Sequence, residues 1–88
     1  MPGARFKVFG DGPRQMRLIE FTREFVEAHW CEKGQIGFVL RGQVEIDFDG
    51  QIVRYGQGFG IFVPKGASTE HRARSVAPSV QLLLVEDV

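Results

Sequence analysis

The stretch that decides the fold runs from Val44 to Tyr55 and reads Val-Glu-Ile-Asp-Phe-Asp-Gly-Gln-Ile-Val-Arg-Tyr. Every second residue from Val44 to Phe48 is apolar and the residues between them are acidic, a period of two that is typical of a half-buried strand. Asp49-Gly50 then favours the type I′ turn of a two-residue hairpin, and residues 51–55 return as the second strand. The sequence therefore predicts an antiparallel hairpin at the centre of the chain.

Working outward from the hairpin, the flanking segments also favour extended structure. Short segments at 61–63, 69–76 and 80–86 are predicted strands, and they are separated by glycine and proline, which interrupt strands. Residues 17–28 are a weak helix candidate, but their β-prone residues favour two strands, and residues 1–14 resemble an arm or edge strand. About eight or nine short strands with regular turns predict a single all-β domain, either a sandwich or a barrel.

Composition excludes several classes of function. The 88 residues include 11 basic and 11 acidic side chains, so there is no basic surplus to bind a phosphate backbone, and we expect no nucleic-acid partner. The apolar runs are too short to cross a bilayer, and no signal peptide is apparent, so we expect no membrane partner. Cys31 is the only cysteine, which excludes an internal disulfide and favours the cytoplasm.

Two short segments carry residues with donor atoms. His29 and Cys31 are two positions apart, so on a strand they share one face with Glu27, and we expect this face to point into the barrel. His71 follows Pro64-Lys-Gly66 on a later strand. The plainer interpretation is a hydrogen-bonded histidine beside a small core cysteine, because two donors on one strand do not define a metal site. No nucleophile elbow or phosphate-binding loop with a following helix is present.

These segments together resemble the motifs of the cupin superfamily. His29-x-Cys31, three residues, Gln35, six residues and Gly42 fall in the register of its first motif, although Arg23 stands where the opening glycine belongs. Gly58, five residues and Pro64-Lys-Gly66 match the second motif, whose histidine position is Thr69, two residues before His71. The chain also resembles a subgroup of short bacterial cupins with His-Trp-Cys at this place.

The resemblance implies an antiparallel jelly-roll β-barrel with an internal pocket that usually holds one divalent metal. The candidate ligands here are His29, Cys31, Gln35 and His71, and only His29 is an expected donor at an expected position. Such a set predicts a weakened site for zinc, iron, manganese, nickel or copper, or no metal at all.

The sequence thus predicts a small cupin-like protein that binds a small molecule in its barrel. The alternative is a metal-dependent cupin enzyme of the dioxygenase or isomerase type, and whether any reaction is catalysed stays open. The resemblance, the zero net charge and the apolar surplus further predict a homodimer. Trp30, which strand parity points away from the pocket, is a candidate interface residue.

Overall fold

A computed structural model describes residues 2–66 and 70–87 of the chain. Eight strands are present in this part, and they are the following: β1 Ala4–Gly10, β2 Arg14–Thr22, β3 Gln35–Arg41, β4 Gln43–Phe48, β5 Gln51–Gly56, β6 Gly60–Val63, β7 Arg72–Ser75 and β8 Ser79–Asp87. The described residues contain no helix, and therefore none that could span a membrane. The all-β prediction is confirmed.

The strands form two antiparallel sheets. The larger sheet has five strands in the order β1-β2-β8-β3-β6, and the smaller has three in the order β5-β4-β7. The last strand, β8, lies between β2 and β3, and β1 forms one edge of the larger sheet. These two sheets, packed on a shared core, are consistent with the jelly-roll barrel that the sequence predicts.

The core lies between the sheets and draws every second residue from the central strands. Val39, Val44 and Val80 are the most completely enclosed. The other buried apolar residues are Ile19, Phe21, Phe25, Ile46, Ile61, Val63, Leu82 and Leu84. The alternation explains the sequence pattern, because successive side chains of a strand point to opposite faces of the sheet.

The central hairpin is confirmed. Phe48 pairs with Gln51 across a two-residue loop, and both loop residues have positive φ, 55° at Asp49 and 98° at Gly50. A type I′ turn requires this backbone at both positions. Asp47 Oδ1 also accepts a hydrogen bond of 2.7 Å from the Gly50 N–H, which holds the turn closed.

The segment 17–28 follows its prediction in part. The strand interpretation is right up to Thr22, where β2 ends. A turn follows at residues 23–24, and Val26 then makes only an isolated bridge to Arg74, so the second predicted strand is not regular. The strand predicted from residue 69 begins at Arg72 in the described part of the chain, and Thr69 lies outside the described residues.

Candidate functional site

A cavity of about 100 Å³ lies between the two sheets. Ile19 and Leu82 of the larger sheet and Ile46 of the smaller sheet contribute to its apolar walls. Four polar residues also line it: Arg17, Glu27, Gln35 and His71. A small, mostly apolar cavity with a few polar groups is the usual form of a ligand pocket.

Glu86 lies behind the cavity and connects three of the surrounding side chains. Its side chain is fully buried, and Gln15 Nε2 donates to Oε1 at 2.8 Å while Gln35 Nε2 donates to Oε2 at 2.9 Å. Burial by itself raises the pKa of the Glu86 carboxyl, but the hydrogen bonds from Gln35 and Gln15 and the charge of Arg17 outweigh it and lower the pKa. Glu86 is therefore an anion at neutral pH.

Arg17 supplies the compensating positive charge. Its Nη2 donates to Glu86 Oε2 at 3.2 Å, and its Nε lies 2.6 Å from Oε1. The Nε–H is not directed at that oxygen, however, so buried Nε makes no hydrogen bond within the described part of the chain. The pair is held by charge and by Nη2, and one Arg17 donor stays unsatisfied by the protein's described residues.

The buried anion fixes the orientation of Gln35 and the tautomer of His71. A carboxylate only accepts hydrogen bonds, so Gln35 must present its amide N–H to Glu86 and turn Oε1 the other way. Oε1 lies 3.1 Å from His71 Nε2, and the imidazole must therefore donate the hydrogen of Nε2. A continuous hydrogen-bonded chain thus runs from Glu86 through Gln35 to His71.

Glu27 lines the cavity from the segment before β3. Its Oε1 accepts a hydrogen bond of 2.9 Å from the Ala73 N–H, and its backbone N–H donates to the Ala73 carbonyl. Burial raises the pKa of Glu27, and this outweighs the lowering by the Ala73 hydrogen bond and by the charges of His71 and Arg17. The cavity therefore disfavours a further negative charge at this position.

The interior orientation predicted for His29 is wrong. His29 is exposed and does not line the cavity, whereas Glu27 does and Cys31 is half-buried. Two isolated bridges, Val26↔Arg74 and Cys31↔His71, flank this segment. The chain advances five residues from Val26 to Cys31 but only three from His71 to Arg74, so the first segment has two residues more than its partner. Two extra residues keep the alternation in step at the two bridges, but the segment between them is not a regular strand, so parity does not fix the direction of His29.

The structure brings three of the four predicted ligands together. Cys31 and His71 exchange backbone hydrogen bonds of 2.8 and 2.9 Å, so they lie directly opposite each other, and Gln35 contacts the His71 imidazole. This arrangement does not fit the metal centre that the resemblance implies. His71 Nε2 carries a hydrogen and offers no lone pair, and no group of three His, Cys, Asp or Glu suited to a metal occurs among the described residues.

The sequence did not predict Arg17 and Glu86 as site residues. The signal was present in the alternation of β2 and β8, because Arg17 continues the buried series of Ile19 and Phe21, and Glu86 continues that of Leu82 and Leu84. A charged residue in a buried register is unusual unless it is paired. The partner follows only from the pairing of two strands that are far apart in the chain.

A model of the cupin domain family matches residues 22–86. The chain belongs to this family. The match covers most of the chain, including Gln35, His71 and Glu86, and confirms the family resemblance. The His-Trp-Cys subgroup stays a prediction, and a search of the curated proteins found no match.

Solved structures show the same fold at low sequence identity. KdgF from a Halomonas species has a TM-score of 0.82 and 24% identity, with 99% of this cupin and 82% of that chain covered. A cupin-2 domain-containing protein from Shewanella frigidimarina has a TM-score of 0.74 and 22% identity, with coverage of 96% and 80%. The EutQ protein of Clostridium difficile has a TM-score of 0.75 and 21% identity, with coverage of 96% and 67%.

Proposed function

We propose that this cupin binds a small, neutral organic molecule in the cavity between its sheets. The observation that carries the proposal is an apolar cavity with buried hydrogen-bonding groups on its wall, Arg17, Gln35 and His71 among them. The ligand places a hydroxyl or amide group against these side chains. Its hydrocarbon part packs against Ile19 and Leu82.

The charges around the cavity favour a neutral ligand. Glu86 and Arg17 already compensate each other, so the buried network has no net charge to neutralise. The raised pKa of Glu27 supports the same conclusion, because burial there penalises an anion. A charged ligand loses its hydration shell when it enters the cavity. Without a buried counterion nothing compensates for this loss, which costs several kcal/mol.

The volume limits the size of the ligand. An apolar cavity of about 150 Å³ holds benzene. A cavity of about 100 Å³ suits a molecule of a few non-hydrogen atoms. At the efficiencies of very small ligands, such a molecule binds with a dissociation constant of about 1 mM.

Titration of the ¹⁵N-labelled protein with n-butanol, butyrate and butylammonium tests the proposal by amide chemical shifts. We expect n-butanol to shift the amides of Arg17, Gln35 and Ala73, and to bind about ten times more tightly than either ion. Ala73→Val places two extra carbons in the cavity and should abolish these shifts. Ala28→Val is the matched control, because Ala28 is exposed.

Two results would contradict the proposal. One is that n-butanol produces no saturable shifts at the cavity, and the other is that Ala73→Val folds and still binds it as the parent does. Metal analysis of protein purified without an affinity tag tests the alternative of a metal-dependent enzyme. One tightly bound zinc, iron, manganese, nickel or copper per chain would favour that alternative over the neutral-ligand proposal.

A further inference from the structure

A groove of about 360 Å³ lies on the outer face of the smaller sheet. The strand register places two rows of residues across this face, and their positions on β4 alternate with its core positions. The rows are Ile52, Asp47 and Arg72, and then Arg54, Glu45 and Arg74. The groove shares Glu27 and Ala73 with the cavity, but its arginines lie on the other face of the sheet. We refer to it as the outer groove.

Arg72 has no carboxylate partner in the outer groove. Its guanidinium carbon lies over the Trp30 ring, 4.3 Å from the ring centre, so the indole covers one side of the group. The guanidinium makes no hydrogen bond or ion pair within residues 2–66 and 70–87. Asp47, opposite Arg72 in the register, instead accepts the N–H of Gly50. A guanidinium held on an aromatic ring keeps its edge donors available for both oxygens of a carboxylate.

The two rows also carry a surplus of positive charge. Glu45 is bound on both sides, because Arg54 Nη2 donates to Oε2 at 2.6 Å and Arg74 Nε donates to Oε1 at 2.8 Å. These bonds lower the pKa of Glu45, which is therefore an anion. With Asp47 counted, the rows hold three arginines against two carboxylates. Glu27, which also lines the groove, directs Oε1 at a backbone N–H, and burial raises its pKa.

Two exposed apolar side chains line the outer groove beside the arginines. The exposed fraction is 65% at Val26 and 60% at Ile52. The groove is larger than the cavity of about 150 Å³ that holds benzene. It therefore has room for one ring together with an anionic group.

We propose that the outer groove binds a small organic carboxylate with an apolar body, such as an aryl acetate. The carboxylate accepts paired hydrogen bonds from Arg72, and the ring lies between Val26 and Ile52. Paired bonds between a guanidinium and a carboxylate are stronger than bonds between neutral groups. This site goes beyond the ligand proposed for the cavity, because it lies on the other face of the sheet and selects an anion.

The fluorescence of Trp30 reports on the outer groove, because Arg72 lies over its ring and the chain has no other tryptophan. Titration of the full chain with phenylacetate, phenylacetamide and inorganic phosphate separates the effects of charge and ring. We expect phenylacetate to bind about ten times more tightly than phenylacetamide, which lacks the charge, or phosphate, which lacks the ring. Salt at about 1 M should weaken the binding of phenylacetate, because it screens exposed charges.

Substitution of Arg72 tests its role. Arg72→Gln should lower the affinity for phenylacetate about ten-fold while the circular dichroism spectrum is kept. Arg72→Lys keeps the charge but not the paired donors, and it should bind with intermediate affinity. Arg41→Gln is the matched control: Arg41 is an exposed arginine at the end of β3, on the larger sheet, and its loss should leave the affinity unchanged.

Three results would overturn the proposal: no saturable change with phenylacetate, equal affinity for phenylacetamide, or equal losses in Arg72→Gln and Arg41→Gln. Phosphate that binds as tightly as phenylacetate would overturn the proposed ligand class. Amide chemical shifts keep this question separate from the cavity. Phenylacetate should shift the amides of Arg72 and Asp47, whereas shifts confined to Arg17 and Gln35 would place it in the cavity and overturn the outer-groove site.

Discussion

Glu86 makes the stability of this cupin depend on pH. Its lowered pKa means that the unfolded chain binds a proton more readily than the folded chain at mildly acid pH. The stabilisation is therefore present above the ordinary glutamate pKa of about 4.3, and it is lost as the pH falls below that value through the lowered folded-state pKa.

Urea unfolding of Glu86→Gln at neutral and acid pH measures this contribution. At pH 7 we expect a loss of about 3 kcal/mol, because the partly buried Arg17 charge is left without its partner. The difference from the parent should shrink near pH 3.5. Glu24→Gln, at an exposed position, should have a small effect at both values. A difference that stays constant between the two pH values would contradict the linkage to Glu86.

Single residues were the least predictable part of the site. His71 was a candidate, and the structure buries it against Gln35, but nothing near it in sequence reveals the amide that fixes its tautomer. His29 matched a motif position and nevertheless lies on the surface. Motif spacing counts residues, whereas orientation depends on how many of them pair with the neighbouring strand.

Elements were predictable where their determinants are local. The hairpin of β4 and β5 followed from alternation and from Asp49-Gly50, because the turn residues themselves dictate the backbone. The segment between β2 and β3 was not predictable in the same way. Its two extra residues are defined only against the segment from His71 to Arg74, with which it makes two isolated bridges.

A comparison of two glycine positions distinguishes the effect of backbone strain from that of steric contact. Gly42 and Gly50 have φ values of 80° and 98°, a region that side chains rarely adopt. A Cβ on Gly42 would overlap the Ser79 carbonyl oxygen and contact Val80, whereas a Cβ on Gly50 meets nothing within 4 Å. The two positions therefore share the strain and differ in the contact.

Replacement of each glycine by alanine measures the two effects. We expect Gly50→Ala to lower the free energy of unfolding by about 1–2 kcal/mol through strain alone. Gly42→Ala should lower it further, because the β3–β4 connection must also move away from β8. Equal losses in urea unfolding would show that the contact with Ser79 is relieved without cost.

At the scale of the molecule, the sequence predicted the all-β class and the family motifs, but not the strand order. The fold class depends on the periodicity of apolar residues, which is visible in each segment separately. The order β1-β2-β8-β3-β6 depends on long-range pairing, such as that of Gln15 with Glu86, 71 residues apart. The buried polar network spans those same pairings, and therefore it could not be predicted either.

The central place of β8 in the larger sheet also affects how the molecule folds. β2 and β3 follow each other in sequence, yet they do not pair with each other: each pairs with β8, Ser79–Asp87, which lies between them. Such distant pairings slow folding, and we expect refolding in about milliseconds to seconds. In that interval each chain has two open strand edges, which are able to pair with other chains.

Refolding from urea at increasing protein concentration checks this expectation. The recovered native fraction should fall as the concentration rises, with the loss appearing as aggregate. A yield that is independent of concentration would mean that β8 pairs with β2 and β3 before separate chains associate. We therefore expect the entry of β8, which completes the larger sheet, also to close the two strand edges that are open to aggregation.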